Sequence, residues 1–140
     1  MNDLHNLQRF VNAQDPVYAE VIAELRAGRK ESHWMWFIFP QVEGLGRSSM
    51  AQRYAIASAA EAKAYMEHPV LGPRLMECSR LAVAVEGRSV EEIFGWPDCM
   101  KFRSSMTLFA HAAPENGIFR AALEKYFHGE EDRATVERLT

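Results

Sequence analysis

The chain has 140 residues, of which 48% are hydrophobic and 25% are charged, and its formal net charge is -3. This length suits one domain with a single core, and the composition excludes a disordered or fibrous protein. The negative net charge argues against broad binding to nucleic acids, which usually requires a basic surface. We therefore expect one globular domain over residues 1–140.

The sequence offers no membrane segment, leader or metal motif. Its longest wholly apolar run, residues 34–40, is far shorter than the roughly 20 residues of a membrane-spanning helix. Residues 1–10 are too polar for a signal peptide. Cys78 and Cys99 lack a CxxC partner, and the histidines do not have metal-ligand spacing. We expect a cytoplasmic protein with reduced cysteines and no metal or other cofactor, and the oligomeric state stays open.

The first half of the chain predicts short helices with clear stop signals. Apolar residues recur at helical spacing in residues 4–11. Asp15 and the proline after it predict the cap and first turn of a second helix, which should end at Gly28. After the aromatic stretch that follows, Ser48 or Ser49 is expected to cap a further helix.

The second half carries two serine–glutamate pairs with the spacing of capping boxes, Ser58 with Glu61 and Ser89 with Glu92. Alternating strand patterns are nearly absent from the chain. We therefore predict an all-α domain of about seven or eight helices. The later helices are expected from about residue 97 to 111, from 114 to 127, and after 129.

The stretch SHWMWFIFPQ, residues 32–41, raises the question of whether it is core or the wall of a site. Its apolar character predicts a short buried helix capped by Ser32 and ended by Pro40, with a buried strand as the alternative. A purely structural role would make the neighbouring histidine, His33, a satisfied polar group of the core.

Two tryptophans in three residues favour a second role for this stretch, because an indole ring offers both a flat surface and an N–H donor. Trp34 and Trp36 beside His33 suit a planar ligand that stacks on aromatic rings. On a helix His33 and Trp36 share one side. We therefore expect Trp36 to border a pocket and Trp34 to be mostly buried.

The next stretch, GLGRSSM, is the best candidate for an anion site. Gly44 and Gly46 allow a close approach of the backbone, and Arg47 offers a planar fork for phosphate oxygens. Ser48 begins a helix whose free N–H groups attract negative charge. The spacing is neither that of a P-loop nor that of a dinucleotide fingerprint. The alternative is an ordinary loop and cap with a solvated arginine.

A third cluster lies in residues 95–109, where a polar stripe runs along a mostly apolar helix. Asp98, Lys101 and Ser105 are three and four residues apart, and Ser104 stands beside them. Such a stripe either faces a cleft or pairs with unseen partners. The alternative is an Asp98–Lys101 surface pair at the helix start. A functional role requires the stripe to meet the tryptophans and Arg47.

Five blocks follow one another in chain order: LQRFVNAQ, GRKESHWMWFIFPQ, RYAIAS, HPVLGPRLMEC and FGWPDCMKFRSSMTLF. Taken together over nearly the whole chain, they resemble the bacterial family called domain of unknown function 1810. The resemblance implies a small all-α cytoplasmic protein without an established activity.

The chain also resembles, more distantly, the NADAR proteins, which are associated with ADP-ribose-linked nucleosides and cleavage of N-glycosidic bonds. The shared features are an aromatic block after Lys30, a Gly-Arg element, and Trp96 with Asp98. The NADAR block has a glutamate directly before its histidine, where this chain has Ser32, and Glu31 lies one residue earlier.

This resemblance implies a hydrolase acting on a nucleotide or ADP-ribose derivative. Asp98 or Glu31 would supply the carboxylate, and His33 or Lys101 would supply the proton for the leaving base. The alternative is a non-catalytic module that binds a nucleotide or a partner protein. The residues expected to bind the ligand are Trp34, Trp36, Arg47, Ser48, Trp96, Ser104 and Ser105.

Overall fold

Ten α-helices form the part of the chain described by the structure, a computed structural model that covers residues 3–139. The all-α prediction is confirmed, but the expected number of helices was too low. Several helices have only one turn and lack the repeated apolar spacing that reveals a longer helix. The helices are α1 Gln8–Gln14, α2 Tyr18–Ala27, α3 Met35–Ile38, α4 Ser49–Arg53, α5 Ala59–Glu67, α6 Leu71–Ala84, α7 Val90–Phe94, α8 Asp98–Ala112, α9 Gly117–Phe127 and α10 Arg133–Leu139.

Helix α8 occupies the centre of the core, where it packs against α5, α7, α9 and α10. Its sequence is apolar on most sides, and Phe102, Met106 and Phe109 are fully buried. Helix α6 packs against α2, α5 and α9, so α5 and α9 join the two longest helices. Among the described residues, no helix has the length and apolarity needed to cross a bilayer.

The aromatic stretch is helical only over α3, which is shorter than predicted. The hydroxyl of Ser32 does not cap this helix, because it donates a hydrogen bond of 2.6 Å to the carboxylate of Glu24. At the other end the backbone leaves helical geometry at Phe39, with φ -124° and ψ 73°. Steric conflict with the ring of Pro40 disfavours helical geometry for the residue before it.

Aromatic rings connect this stretch to the centre of the core. The ring centroids of Phe39 and Phe102 lie 5.0 Å apart in an edge-to-face arrangement. Phe94 of α7 stacks on Phe102 with a centroid distance of 4.6 Å. Such pairs add stabilisation beyond the burial of their area. The stretch is therefore anchored in the core from Phe39 onward.

Of the two predicted capping boxes, one is complete and one is half formed. The hydroxyl of Ser89 accepts from the backbone N–H of Glu92, whose carboxylate accepts in turn from the backbone N–H of Ser89. Ser58 also accepts from the backbone N–H of Glu61. The Glu61 carboxylate does not return to Ser58: one oxygen accepts from the backbone N–H of Ala57 at 3.1 Å, and the other forms an ion pair of 2.9 Å with Arg9.

The other predicted helix ends have mixed outcomes. Helix α2 ends at Gly28, which has a left-handed φ of 74°, as predicted. Ser48 caps α4 as predicted, since its hydroxyl accepts from the backbone N–H of the third residue along. The expected cap at Asp15 was wrong, because α2 starts at Tyr18 and the Asp15 carboxylate instead pairs with Arg74 at 2.9 Å.

Candidate functional site

A cleft of about 510 Å³ lies between the aromatic stretch and the loop that carries α4. This volume falls within the range of small-molecule sites in proteins. The cleft wall includes backbone from two glycines, Gly44 and Gly46. The larger side chains on the wall include Trp36, Gln41, Glu43, Arg47, Gln52 and Tyr54.

Backbone hydrogen bonds hold the loop around this cleft in place. The N–H of Ile56 donates to the carbonyl of Gln41 at 2.9 Å, and the N–H of Glu43 donates to the carbonyl of Ile56 at 2.8 Å. The guanidinium of Arg9, a residue that does not line the cleft, donates to the carbonyl of Ala55 at 2.8 Å. The two ends of the loop are therefore fixed, and the side chains that line the cleft stand on an anchored frame.

The two tryptophans of α3 and its cap have different environments. Trp34 is only 1% exposed, and its indole N–H donates to Glu24 at 2.9 Å. Trp36 is half-buried and lines the cleft. The prediction that Trp36 borders a pocket while Trp34 is mostly buried is confirmed. The aromatic stretch therefore contributes to the core through Trp34 and to the wall of the cleft through Trp36.

Glu24 of α2 organises the backbone before α3. Besides the indole of Trp34, its carboxylate accepts from the backbone N–H groups of Glu31 and Ser32 at 2.7 and 2.9 Å. Burial raises the pKa of Glu24, but hydrogen bonds from Ser32, Glu31 and Trp34 outweigh it and bring the pKa to about 2. The side chains of Glu31 and His33 are exposed.

Sequence reasoning did not identify Glu24. It lies seven residues before the backbone N–H of Glu31, on a different helix, so no short-range spacing connects it to the aromatic stretch. The available signal is the indole of Trp34, which requires a partner once the ring is buried.

The polar stripe of α8 reaches Trp36 through Lys101, but neither Asp98 nor Lys101 lines the cleft beside Arg47. Asp98 pairs with Lys30 at 2.9 Å and with Lys101 at 3.5 Å. The ammonium of Lys30 lies 5.2 Å from the ring centroid of Trp34, and that of Lys101 lies 5.5 Å from the ring centroid of Trp36. Sequence reasoning did not include Lys30 in this site. Two ammonium groups therefore balance the Asp98 carboxylate, which is not among the residues that line the cleft.

Three of the residues predicted to bind ligand lie on α8 or just before it, away from the cleft. The hydroxyl of Ser104 donates to Asp132 at 3.1 Å, which ties α8 to the start of α10. Ser105 is fully buried, and its hydroxyl has no hydrogen-bond partner among the described residues. Trp96 is 75% exposed between α7 and α8. None of the three lines the cleft.

Arg47 is exposed on the cleft wall, and its guanidinium makes no hydrogen bond or ion pair within residues 3–139. Its backbone is fixed, since the amide of Gln52 donates to the Arg47 carbonyl at 2.9 Å. The neighbouring Ser48 does not line the cleft, because its hydroxyl caps α4. The carboxylate of Glu43 also lines the cleft without a partner in the described chain. The cleft thus offers one cation and one anion to a ligand.

Potential metal ligands do not gather at the cleft or elsewhere in residues 3–139, where no group of three or more acidic, histidine or cysteine side chains could hold an ion. The thiols of Cys78 and Cys99 are free and buried. The lining of the cleft itself supplies a ring surface, amides and one charge of each sign.

Comparison with known proteins gives two matches. The chain is 59% identical to the conserved hypothetical protein Rv1873 from Mycobacterium tuberculosis, whose crystal structure was determined at 1.38 Å. The match covers 98% of each chain, and the TM-score is 0.97. No curated protein matches significantly. Neither match supports the resemblance to NADAR proteins. The family model described as "Protein of unknown function (DUF1810)" matches residues 4–139, and this chain belongs to that family.

Proposed function

We propose that the cleft binds a small planar molecule that carries negative charge, of the nucleotide type. One observation carries this proposal. Trp36 and Arg47 stand on the wall of the same cleft, and the Arg47 guanidinium has no partner in the described chain. An accessible aromatic ring and an unpaired guanidinium are the two groups that recognise a base and a phosphate.

The arrangement of charges orients such a ligand. Arg47 pairs with phosphate oxygens through a planar fork, while Glu43 repels them and accepts from an amino group of the base. Gln41 adds an amide that both donates and accepts. We therefore expect the phosphate to lie at Arg47 and the base between Trp36 and Glu43.

Catalysis is a second candidate, and Glu43 is the residue that favours it. Cleavage of an N-glycosidic bond requires a carboxylate near the developing positive charge on the sugar. Asp98 is held by two lysines away from the cleft lining, and Glu31 is exposed outside it. Among the described residues that line the cleft, Glu43 is the only carboxylate. A hydrolase would therefore use Glu43 rather than the residues that the sequence suggested.

Thermal denaturation with AMP, ADP and ADP-ribose tests the binding function. A ligand that binds only the folded state raises the melting temperature as its concentration rises above Kd. We expect such a rise for the parent protein and its loss in Arg47→Ala. The matched control is Arg80→Ala, which removes an exposed arginine of α6 outside the cleft. No rise with any of the three compounds would overturn the proposal.

Turnover is tested separately by chromatography of the same nucleotides after incubation with the protein. If the cleft is catalytic, free base accumulates and Glu43→Gln abolishes it while the ligand-induced rise in melting temperature remains. Binding without release of base assigns the cleft to recognition alone.

A further inference from the structure

Gly44, on the cleft wall, adopts a backbone conformation that side chains rarely allow, with φ +96°. The space where its side chain would stand is filled by the guanidinium of Arg138, from the last helix. The two terminal nitrogens of Arg138 lie 2.5 and 2.6 Å from the position of an added Cβ. The Arg138 guanidinium therefore lies against Gly44 of the cleft wall, although Arg138 is not itself among the residues that line the cleft.

Arg138 is available to a ligand. Its side chain is exposed, and within residues 3–139 it forms no hydrogen bond or ion pair. Arg47 stands on the same loop, three residues after Gly44, and is equally unpaired in the described chain. This loop therefore has one unpaired guanidinium on the cleft wall and a second against Gly44, next in the chain to the carboxylate of Glu43.

Hydrogen bonds join the start of α10, the helix that carries Arg138, to α8. The backbone N–H of Asp132 donates to the hydroxyl of Thr107 at 2.9 Å, and the Asp132 carboxylate accepts from Ser104 at 3.1 Å. The same carboxylate accepts from the hydroxyl of Thr135 at 2.5 Å. These bonds hold the start of α10 against α8 and so fix the helix that carries Arg138.

We propose that Arg138 and Arg47 form one anion site that selects a ligand with two adjacent anionic groups, such as a diphosphate, over a monophosphate. This inference rests on the proposed function of the cleft. A single guanidinium satisfies one phosphate group, whereas a second beside Gly44 adds a partner for the next group. The selectivity comes from the second arginine because a monophosphate held at Arg47 leaves Arg138 unused.

Titration calorimetry with ADP and AMP, and with inorganic pyrophosphate and phosphate, tests the site. The parent protein should bind ADP at least about 10-fold more tightly than AMP, since each charge-assisted hydrogen bond is worth roughly a factor of ten. In Arg138→Gln this ratio should fall towards one through weaker ADP binding, with AMP binding unchanged. The parent protein should bind pyrophosphate more tightly than phosphate, and the variant should bind the two with similar affinity.

One further variant sharpens the result. The matched control is Arg133→Gln, which removes an exposed arginine from the start of the same helix and should leave the ratio unchanged. Because Arg138 has no partner in the described chain, the ligand-free melting temperature of Arg138→Gln should match the parent.

The outcomes separate the two proposals. Binding of both nucleotides with an unchanged ratio in Arg138→Gln overturns the role of Arg138 and leaves the cleft as a nucleotide site. Failure of AMP and ADP alike to bind the parent protein overturns the proposed function and this inference with it. An equal loss in Arg133→Gln shows that only the net charge of α10 matters, which also overturns the two-arginine site.

Discussion

Two groups of charged side chains border the aromatic stretch, and they differ in whether their charges are paired. On one side Asp98 is bonded to Lys30 and Lys101, and the Lys30 side chain is only 8% exposed. On the other side Arg47 and Glu43 line the cleft without partners in residues 3–139. The first group completes the fold, and the second is free to meet a ligand.

Burial explains the difference. A charged group removed from water is costly unless an opposite charge and hydrogen bonds compensate for it. Lys30 is almost buried and is paired at 2.9 Å, as this cost requires. Arg47 is exposed, so water can solvate it when no ligand is present. Asp98, which the sequence suggested as a catalytic residue, is therefore occupied by ion pairs that stabilise the fold.

The largest contrast is expected between the two tryptophans. Trp34→Ala should reduce the free energy of unfolding by about 3–5 kcal/mol, because it empties a buried site and leaves Glu24 without the indole N–H. Trp36→Ala should cost clearly less, since its ring is half-buried. Urea denaturation of both variants measures the difference. Equal losses would remove the distinction between core and wall.

Glu24→Gln is expected to cost about 2 kcal/mol at neutral pH, because the carboxylate holds several hydrogen bonds that an amide holds less well. The folded pKa of Glu24, about 2, lies below the ordinary value of 4.5. Its stabilisation is therefore complete above pH 4.5 and is lost as the pH falls towards 2. Denaturation at neutral and acidic pH should show that the free energies of unfolding of the variant and the parent converge as the pH falls. A difference between them that does not depend on pH would argue against this role.

Asp98→Asn tests the paired group. It leaves the nearly buried Lys30 without its carboxylate, so we expect a loss of about 1–2 kcal/mol, limited by the partial exposure of the ion pairs. The nucleotide-induced rise in melting temperature should keep its size. If stability is unchanged and that rise disappears, Asp98 belongs to the ligand site instead.

Arg47→Ala should have the smallest effect on folding, within about 0.5 kcal/mol, since exposed and unpaired side chains contribute little. Urea denaturation without ligand measures it. A loss larger than that of Asp98→Asn would mean that Arg47 is a structural residue and would reverse the comparison.

Local signals in the sequence predicted several local features, although the caps expected at Asp15 and Ser32 were wrong. The complete capping box at Ser89, the stop at Gly28 and the cap at Ser48 each depend on residues within a few positions of one another. These features needed only spacing and the hydrogen-bonding capacity of one side chain. The prediction for Trp36 rested on a helical face shared with His33, but α3 starts at Met35 and leaves His33 outside the helix.

Distant pairings were not predictable in this way. The partner of Asp98 is Lys30, and the partner of Ser104 is Asp132, both set by the packing of separate helices. The approach of Arg138 to Gly44 joins the end of the described chain to a loop far before it. A pattern within one segment carries no information about such contacts, so the sequence identified the side chains of the site without their neighbours.

The indole N–H signals of the three tryptophans in an NMR titration with ADP test the central claim most directly. Trp36 lines the cleft, whereas Trp96 is exposed outside it. Trp34 is buried, and its indole N–H donates to Glu24. Binding in the cleft should shift the Trp36 signal in a saturable way and leave those of Trp34 and Trp96 nearly unmoved. A shift confined to Trp96, or no shift in any of the three at saturating ADP, would contradict a nucleotide site in this cleft.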